Sequence, residues 1–326
     1  MKILHLESYN YSKESLKLLE NSFNLVSIEF KSQKDLNMHL EKNQYDIIFT
    51  RLGLSINKEI IKLQKKLKFI VTPTTGLNHI DFEYAKTRDV NVISLKGETE
   101  FLMSVRSTAE HTWGLLLSAV RNIPRAFDQV KKNLWDRSKL YAYELDSKTI
   151  GIIGYGRLGK IVSGYAHAFN MNIIINDIRN ISNETLYDEK TVDIDFLLEN
   201  SDVICLMINY EESNIDFMDK LKFLKMKKNS IFINTARGEL VNEDALLFSL
   251  ENKKIYFAAT DVLKEDSIWN SKSKISSKLI EYSKLNNNLI ITPHIGGYGD
   301  LSIKRTRDFI TNKFLKIIKN ETNNYS

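Results

Sequence analysis

A glycine-rich segment between residues 149 and 160 has the residue types needed to bind a dinucleotide. Its apolar part, residues 150–153, is typical of a buried parallel strand. The G-x-G-x-x-G motif that follows consists of Gly154, Tyr155, Gly156, Arg157, Leu158 and Gly159. Glycines at this spacing permit a tight turn, a close approach of the backbone to a pyrophosphate and close packing of the next helix on the strand. The N–H groups at the start of that helix would face the phosphates.

Asp177 follows the next predicted strand, residues 171–176, and completes the pattern of strand, glycine turn, helix, strand and acid. A carboxylate at this place can accept hydrogen bonds from the ribose hydroxyls of adenosine, and its charge would repel a 2′-phosphate. Arg179 lies two residues later and weakens that repulsion, which leaves the strictness of NAD over NADP open. The complete pattern favours an NAD-binding unit over a flexible glycine loop.

Three later strand ends carry polar side chains suited to a substrate site. Arg237, Asp261 and His294 each follow a predicted strand. Arginine holds a carboxylate through a two-pronged hydrogen bond and keeps its charge. Gly296 and Gly297 keep the space beside His294 open. Ligands of open α/β sheets bind beyond the carboxyl ends of the strands, so these three residues are candidates for one site.

Residues 1–96 alternate short predicted strands with predicted helices, which indicates a parallel sheet with crossover helices. Because this part has no glycine-rich phosphate turn, it is not predicted to bind the dinucleotide. Two of its strand ends nevertheless carry candidate substrate loops. The residues concerned are Arg51 after one strand and Thr75, Gly76, Leu77 and Asn78 after the next.

The helix predicted at residues 301–318 is expected to pack back on the first half of the chain. Residues 1–98 and 293–326 would then form a substrate domain in two pieces, with a cofactor domain, residues 99–292, inserted between them. The predicted fold is α/β, with two doubly wound parallel-sheet domains: a Rossmann cofactor domain inserted into a flavodoxin-like substrate domain.

Three local predictions concern the segments that join these elements. Residues 97–106 are predicted as a polar loop, and the helix after them is predicted to be capped by Ser107 or Thr108. Residues 264–287 are rich in Ser, Lys and Asn and are predicted to be irregular.

The chain carries several further short motifs in a characteristic order. They are T-G-L-N-H-I-D at 75–81, A-E-H-T at 109–112, N-T-A-R-G at 234–238, A-T-D-V at 259–262 and T-P-H-I-G-G at 292–297. Together with the glycine turn, they resemble the D-isomer-specific 2-hydroxyacid dehydrogenase family over essentially the whole chain. The combination is specific, although each motif alone would be weak.

The resemblance implies a role for each residue at the later strand ends. Arg237 would bind the substrate carboxylate and polarise the 2-oxo group, and His294 would be the general acid and base, since the pKa of an imidazole lies near neutrality. A carboxylate that pairs with this histidine falls at Asp266, where the family usually has glutamate. Because aspartate is one methylene shorter, Glu265 is the alternative partner.

Further contacts are implied in the same way. Asp261 would contact the nicotinamide carboxamide, the backbone from Thr75 to Asn78 would hold the substrate carboxylate, and Arg51 would add an anion contact. The expected cofactor-binding residues are Gly154, Tyr155, Gly156, Arg157, Leu158, Gly159, Asp177, Thr235, Ala236, Asp261, His294 and Gly296.

The implied function is an NAD-dependent oxidoreductase that interconverts a small anionic D-2-hydroxy acid and its 2-oxo acid. Two alternatives stay open: an NAD(H)-sensing, corepressor-like scaffold on the same fold, and a phosphite or formate dehydrogenase. The identity of the 2-hydroxy acid and the physiological direction are also open. The resemblance further implies a homodimer formed through the cofactor domain.

Composition limits the partners and the compartment. The 326 residues carry a net charge of +5 in scattered positions, which favours a solvated surface over nucleic-acid binding. The one cysteine, Cys205, lies in an apolar run and suits a reducing compartment. No signal peptide, membrane-spanning run or Cys/His cluster is visible. The sequence therefore predicts a cytoplasmic protein with no membrane partner and no metal.

Overall fold

Two units make up the computed structural model, which describes residues 1–181, 183–264, 266 and 276–323. One unit contains residues 1–105 and 299–323, and the other contains residues 106–264, 266 and 276–298, apart from residue 182. The domain limits given above, 1–98 with 293–326 and 99–292, stay a prediction. In the part of the chain that is described, no helix has the length and apolar character needed to cross a bilayer.

The first unit is built on a parallel five-stranded sheet with the order β2-β1-β3-β4-β5. Its strands are β1 (Lys2–His5), β2 (Asn24–Ser27), β3 (Ile47–Phe49), β4 (Phe69–Val71) and β5 (Asn91–Ile93). Its helices are α1 (Lys13–Ser22), α2 (Gln33–Lys42), α3 (Lys58–Leu63), α4 (Phe82–Thr87), α5 (Thr99–Met103) and, last in the chain, α13 (Asp300–Asn323). This strand order is that of flavodoxin-like sheets, as predicted.

Neighbouring residues of each strand in this unit enter different cores, because side chains alternate between the two faces of a sheet. Leu4 and Ile48 pack with helices α2 and α3, whereas Ile3 and Phe49 pack with the closing helix α13. Phe314 of α13 is fully buried, and its ring centroid lies 5.2 Å from that of Phe49. The closing helix therefore belongs to the hydrophobic core of this unit.

The second unit is built on a parallel seven-stranded sheet with the order β12-β11-β10-β9-β6-β7-β8. Its strands are β6 (Thr149–Ile153), β7 (Asn172–Asn176), β8 (Lys190–Thr191), β9 (Val203–Leu206), β10 (Ile231–Asn234), β11 (Phe257–Thr260) and β12 (Leu289–Ile291). Its helices are α6 (Ser107–Val120), α7 (Ile123–Lys131), α8 (Arg157–Ala168), α9 (Ile194–Asn200), α10 (Lys220–Lys225), α11 (Glu243–Glu251) and α12 (Lys278–Leu285). The order changes direction between β6 and β9, as in dinucleotide-binding sheets. The prediction of two doubly wound parallel-sheet domains is confirmed.

The inner strands β6, β9, β10 and β11 of this second unit are buried on both faces, whereas the edge strand β8 is exposed. Ile152 and Cys205 belong to the core cluster that includes residues of α6 and α8, and Ile153 and Leu206 belong to the cluster on the opposite face. Cys205 is fully buried, and burial raises the pKa of its thiol to about 12. The thiol is therefore a protonated core group at neutral pH.

The prediction of a continuous polar loop at residues 97–106 is wrong, because residues 99–103 form helix α5. The apolar side chains of this short helix explain the difference. Leu102 is buried, and the ring of Phe101 stacks on that of Phe309 with centroids 3.9 Å apart. Packing against α13 therefore orders a segment whose composition alone indicates a loop.

The predicted side-chain cap of helix α6 is also wrong. Arg106 occupies the N-cap position without a side-chain cap, and the Ser107 hydroxyl donates instead to the carbonyl of Gly296 at 2.7 Å. Within residues 264–287, helix α12 contradicts the prediction of an irregular segment, and its N-cap Ser277 accepts from the N–H of Leu279. Much of the remainder of that segment lies outside the described residues.

Candidate active site

The glycine turn after β6 has the shape that a bound pyrophosphate requires. Gly154 has a φ of 95°, in the left-handed region that favours glycine. A Cβ at Gly159 would lie 2.3 Å from the carbonyl oxygen of Gly154, so α8 packs on the turn only because this side chain is absent. Gly156 is the N-cap of α8, provides no side-chain cap, and has open space where a Cβ would stand. The residues of this turn therefore fit a dinucleotide phosphate group.

Asp177 is tied to the same turn. Its Oδ2 accepts the N–H of Tyr155 at 2.9 Å, and its Oδ1 accepts the N–H and the Nε of Arg179 at 2.9 and 3.0 Å. Burial raises the pKa of Asp177, but the hydrogen bonds from Arg179 and Tyr155 outweigh it and leave that pKa below its usual value. The Asp177 carboxylate is therefore ionised at neutral pH, and it forms an ion pair with Arg179.

A buried acid that the sequence did not single out, Glu189, also holds this turn. The hydroxyls of Tyr155 and Ser163 both donate to its Oε1, and the N–H groups of Leu186 and Tyr187 donate to its Oε2 at 2.8 and 2.7 Å. Burial raises the pKa of Glu189, and these hydrogen bonds reverse the shift, so its pKa is lowered. No motif marks this residue, because its partners come from three separate segments.

Arg237 follows β10 in a turn that Asn234 organises. The side chain of Asn234 accepts the N–H of Ala236 at 3.0 Å and donates to the carbonyl of Arg237 at 3.0 Å. The Arg237 guanidinium donates to the carbonyl of Ala236 at 2.6 Å. Burial lowers the pKa of Arg237, while the charge of Asp266 acts in the opposite direction. An arginine stays protonated at neutral pH even so, and a half-buried guanidinium is a strong carboxylate ligand.

His294 is held in a left-handed backbone with a φ of 55°. Its N–H donates to the carbonyls of Asp261 and Thr292 at 2.8 and 3.0 Å. Its Nδ1 lies 2.9 Å from Oδ2 of Asp266, and both side chains are largely buried. Aspartate therefore reaches the imidazole in spite of its shorter side chain. The alternative partner, Glu265, lies outside the described residues.

Asp261 is buried beneath the His294 loop. Its Oδ1 accepts the Thr292 hydroxyl at 2.6 Å and the N–H of Ile295 at 2.9 Å, and its Oδ2 accepts the N–H of Gly296 at 2.7 Å. His111 Nε2 lies 3.1 Å from Oδ1. Burial raises the pKa of Asp261, but hydrogen bonds, first that from His111, outweigh it and lower the pKa. The carboxylate therefore organises the loop, and its contact with a nicotinamide stays a prediction.

The substrate candidates of the first unit differ in exposure. Thr75 and Asn78 are exposed in the loop after β4, with Gly76 and Leu77 half-buried between them. The Arg51 guanidinium donates to the carbonyls of Leu52 and Phe30 at 3.0 and 3.2 Å. Main-chain oxygens of its own unit thus take up part of its hydrogen-bonding capacity. The roles of all these residues in substrate binding stay predictions.

Comparison with known proteins agrees with this architecture. The profile described as "D-isomer specific 2-hydroxyacid dehydrogenase, NAD binding domain" matches residues 113–296, more than half of the chain. Hydroxypyruvate reductase from Thermotoga maritima is 33% identical over 284 residues, 87% of this chain and 88% of the relative. D-3-phosphoglycerate dehydrogenase from Methanocaldococcus jannaschii is 31% identical over 95% of this chain, which spans only 56% of that relative.

Solved structures give the same result. D-lactate dehydrogenase from Aquifex aeolicus, complexed with NAD and lactic acid, superposes with a TM-score of 0.82 at 27% identity, over 99% of this chain and 97% of that one. NAD-dependent formate dehydrogenase from Staphylococcus aureus, in complex with NAD, superposes with a TM-score of 0.81 at 26% identity, over 98% and 96% of the two chains. Fold and glycine turn thus define an NAD-dependent oxidoreductase. The chain belongs to the D-isomer-specific 2-hydroxyacid dehydrogenase family, as the sequence predicts.

Alanine is predicted to have different effects at Gly156 and Gly159. Gly156→Ala places a methyl group in open space, so it costs at most about 1 kcal/mol of stability at this N-cap. It should nevertheless weaken NAD binding on the order of 10-fold or more, because the methyl group stands where the pyrophosphate approaches. Gly159→Ala meets the Gly154 carbonyl and should destabilise the fold by about 1–3 kcal/mol. Thermal denaturation and NAD titration of both variants test this, and equal NAD affinity of Gly156→Ala and the native protein would contradict it.

The Asp177–Arg179 pair predicts how the cofactor preference can be changed. Asp177→Ala removes the predicted ribose acceptor and releases the Arg179 guanidinium for a 2′-phosphate. The kcat/KM with NADH should fall on the order of 10–100-fold, since a charged hydrogen bond contributes about 1.5–3 kcal/mol. The kcat/KM with NADPH should rise. The double variant Asp177→Ala, Arg179→Ala is the matched control and should not show the rise of kcat/KM with NADPH. An equal kcat/KM with NADPH in the single and the double variant would contradict a role of Arg179 in binding the 2′-phosphate.

Proposed function

We propose that the protein interconverts a small D-2-hydroxy acid and its 2-oxo acid, with Arg237 holding the substrate carboxylate and His294 transferring the proton. The observation that carries the proposal is the contact between His294 Nδ1 and Asp266 at 2.9 Å. A histidine whose Nδ1 donates to a carboxylate is held in one tautomer and one ring orientation, as a general acid and base requires. NAD, when bound, accepts or supplies the hydride at substrate C2.

The protein side of the reaction follows from these contacts. In the direction of reduction, His294 donates its Nε2 proton to the oxygen of the 2-oxo group as that oxygen becomes a hydroxyl. In the direction of oxidation, His294 removes the same proton from the hydroxyl. Asp266 keeps the imidazole in one orientation during the transfer, through the hydrogen bond at Nδ1. Arg237 binds the carboxylate and polarises the neighbouring carbonyl, and its partial burial strengthens that interaction.

The proposal extends to the remaining site residues predicted from the sequence. The backbone of Thr75, Gly76, Leu77 and Asn78 would supply N–H donors for the substrate carboxylate. Arg51 would contribute mainly through its charge, because its guanidinium already donates to two carbonyls. Hydroxypyruvate reductase and D-lactate dehydrogenase among the relatives support short 2-oxo acids as the first compounds to test.

The other functions considered above have unequal support. The scaffold alternative depended on the shortened carboxylate at Asp266, and the contact of Asp266 with His294 removes that reason. Formate oxidation keeps specific support from the similarity to the formate dehydrogenase of Staphylococcus aureus. Product analysis separates the two reactions. Oxidation of a 2-hydroxy acid by NAD gives a 2-oxo acid, whereas oxidation of formate by NAD gives carbon dioxide.

The assignment of His294 and Asp266 predicts a loss of turnover without a loss of cofactor binding. NADH consumption is measured with glyoxylate, pyruvate, hydroxypyruvate, phosphohydroxypyruvate and bulkier 2-oxo acids. With the best of these, His294→Ala should lower kcat by about 10²–10⁴-fold, the usual contribution of a general acid and base. Asp266→Asn should lower it as well, and Asp266→Glu should lower it less, because the charge is kept. Unchanged turnover in His294→Ala would overturn the proposal.

We also propose that the protein is a homodimer formed through its second unit. Helix α7 and the segment after it expose large apolar side chains, among them Phe127, Trp135 and Tyr141, which are 61%, 92% and 91% exposed. Several large apolar side chains exposed within one short stretch of chain favour an interaction site there. Light scattering should give twice the mass of one chain, and Phe127→Asp should lower that mass. A monomeric native protein at micromolar concentration would contradict this proposal.

A further inference from the structure

His111 on helix α6 contacts two side chains that support the His294 loop. Its Nε2 lies 2.9 Å from Oγ1 of Thr292 and 3.1 Å from Oδ1 of Asp261. The Thr292 hydroxyl donates its own proton to Asp261, at 2.6 Å. Both oxygen atoms that face His111 therefore present lone pairs, so the imidazole must carry a proton on Nε2. His111 acts as a shared donor to an alcohol and a carboxylate.

The carboxylate that His111 contacts controls the backbone on both sides of His294. The carbonyl of Asp261 accepts the His294 N–H, and its side chain accepts the N–H groups of Ile295 and Gly296. The left-handed backbone of His294 is unfavourable for a residue with a Cβ, and it persists only where neighbouring groups hold it. The orientation of the His294 ring toward Asp266 thus depends on the position of Asp261.

Helix α6 also contacts the segment that leads to Arg237. Thr112 Oγ1 lies 2.7 Å from Oγ1 of Thr235 and donates to the carbonyl of Thr108 at 2.7 Å. Since the proton of Thr112 is used in this way, the Thr235 hydroxyl donates to Thr112. Thr112 and Thr235 are both buried. One turn of α6 therefore fixes the start of both loops that carry the proposed catalytic side chains.

We propose that His111 is a positioning residue of the reaction. Its Nε2–H group holds Asp261 and Thr292 in place, and through them keeps His294 in the backbone conformation in which its imidazole meets Asp266. This inference rests on the proposed role of His294. His111, the histidine of the A-E-H-T motif, then supports the chemical step in addition to packing the helix.

Two substitutions at His111 separate the hydrogen bond from the space that the ring fills. His111→Phe keeps a planar ring and removes the donor, whereas His111→Gln keeps an N–H donor at similar reach. We expect His111→Phe to lower kcat on the order of 10–100-fold, the size of effect that a misplacement of about 1 Å produces. The KM for the 2-oxo acid should change by less than about 3-fold, since Arg237 is not altered, and NADH should still bind, since the glycine turn is not altered. His111→Gln should recover most of the lost kcat.

The control is His167→Phe, which changes an exposed histidine of the same unit and should leave kcat unchanged. A second readout follows the His294 ring itself. The downfield proton resonance of its Nδ1–H, assigned by its loss in His294→Ala, should shift or disappear in His111→Phe and return in His111→Gln. If His111→Phe does not fold, Thr292→Val serves in its place and should lower kcat while NADH still binds.

The outcomes distinguish this inference from the proposed function. If His294→Ala keeps its turnover, the proposed function itself fails. If His294→Ala is inactive while His111→Phe or Thr292→Val turns over like the native protein, only the positioning role fails. A lower melting temperature with native kcat per folded molecule, equal in His111→Phe and His111→Gln, would show a structural role and would also overturn it.

Discussion

The buried carboxylate of Asp261 is the interaction on which the proposed active site depends most. An ionised group in the interior loses several kcal/mol of hydration and persists only with strong hydrogen bonds, each worth about 1.5–3 kcal/mol when charged. Asp261 obtains them from the Thr292 hydroxyl, from His111 and from the N–H groups of Ile295 and Gly296. All four donors lie in the His294 loop or on helix α6. The hydrogen bonds that satisfy this charge therefore also determine where the His294 loop lies.

The topology of the seven-stranded sheet explains why these groups share one region. The glycine turn follows β6, Arg237 follows β10, Asp261 follows β11 and His294 follows β12. All these strands are parallel and belong to one contiguous part of the sheet, in the order β12-β11-β10-β9-β6. Their carboxyl ends therefore face the same edge of the sheet. A dinucleotide would lie beyond the end of β6, and the proposed catalytic side chains, Arg237 and His294, would lie beyond the ends of β10 and β12. Residues more than a hundred positions apart in the sequence, such as His111 and Asp261, are therefore in contact at this edge.

Local sequence patterns were sufficient for the fold class, the glycine turn and the strand ends, because each of these depends on a few adjacent residues. Asp177 and His294 could be singled out as candidate site residues for the same reason. Spacing could not choose between Asp266 and Glu265 as the partner of His294, since the choice depends on the path of the loop. The contact of Asp266 with His294 appears only in three dimensions.

The features that the sequence did not reveal all depend on contacts between distant segments. Helix α5 is ordered by the stacking of Phe101 on Phe309, which no local propensity encodes. The position of Ser107 is typical of a helix cap, but its hydroxyl donates to the carbonyl of Gly296 instead of capping the helix. Glu189 resembles a surface acid until Tyr155 and Ser163 are seen to donate to it. In each case tertiary structure decided between two locally reasonable conformations.

The burial of Cys205 has a practical consequence for studies of motion in this protein. The sequence contains one cysteine, and its thiol is inside the core with its pKa raised to about 12. Reagents that attack thiolates therefore find no reactive native group. A cysteine introduced at a solvent-exposed position, such as Ile178 beside Asp177, would be the single site of labelling by a fluorophore or spin label. The native chain can thus serve directly as the background for spectroscopic probes of cofactor binding, without prior removal of Cys205.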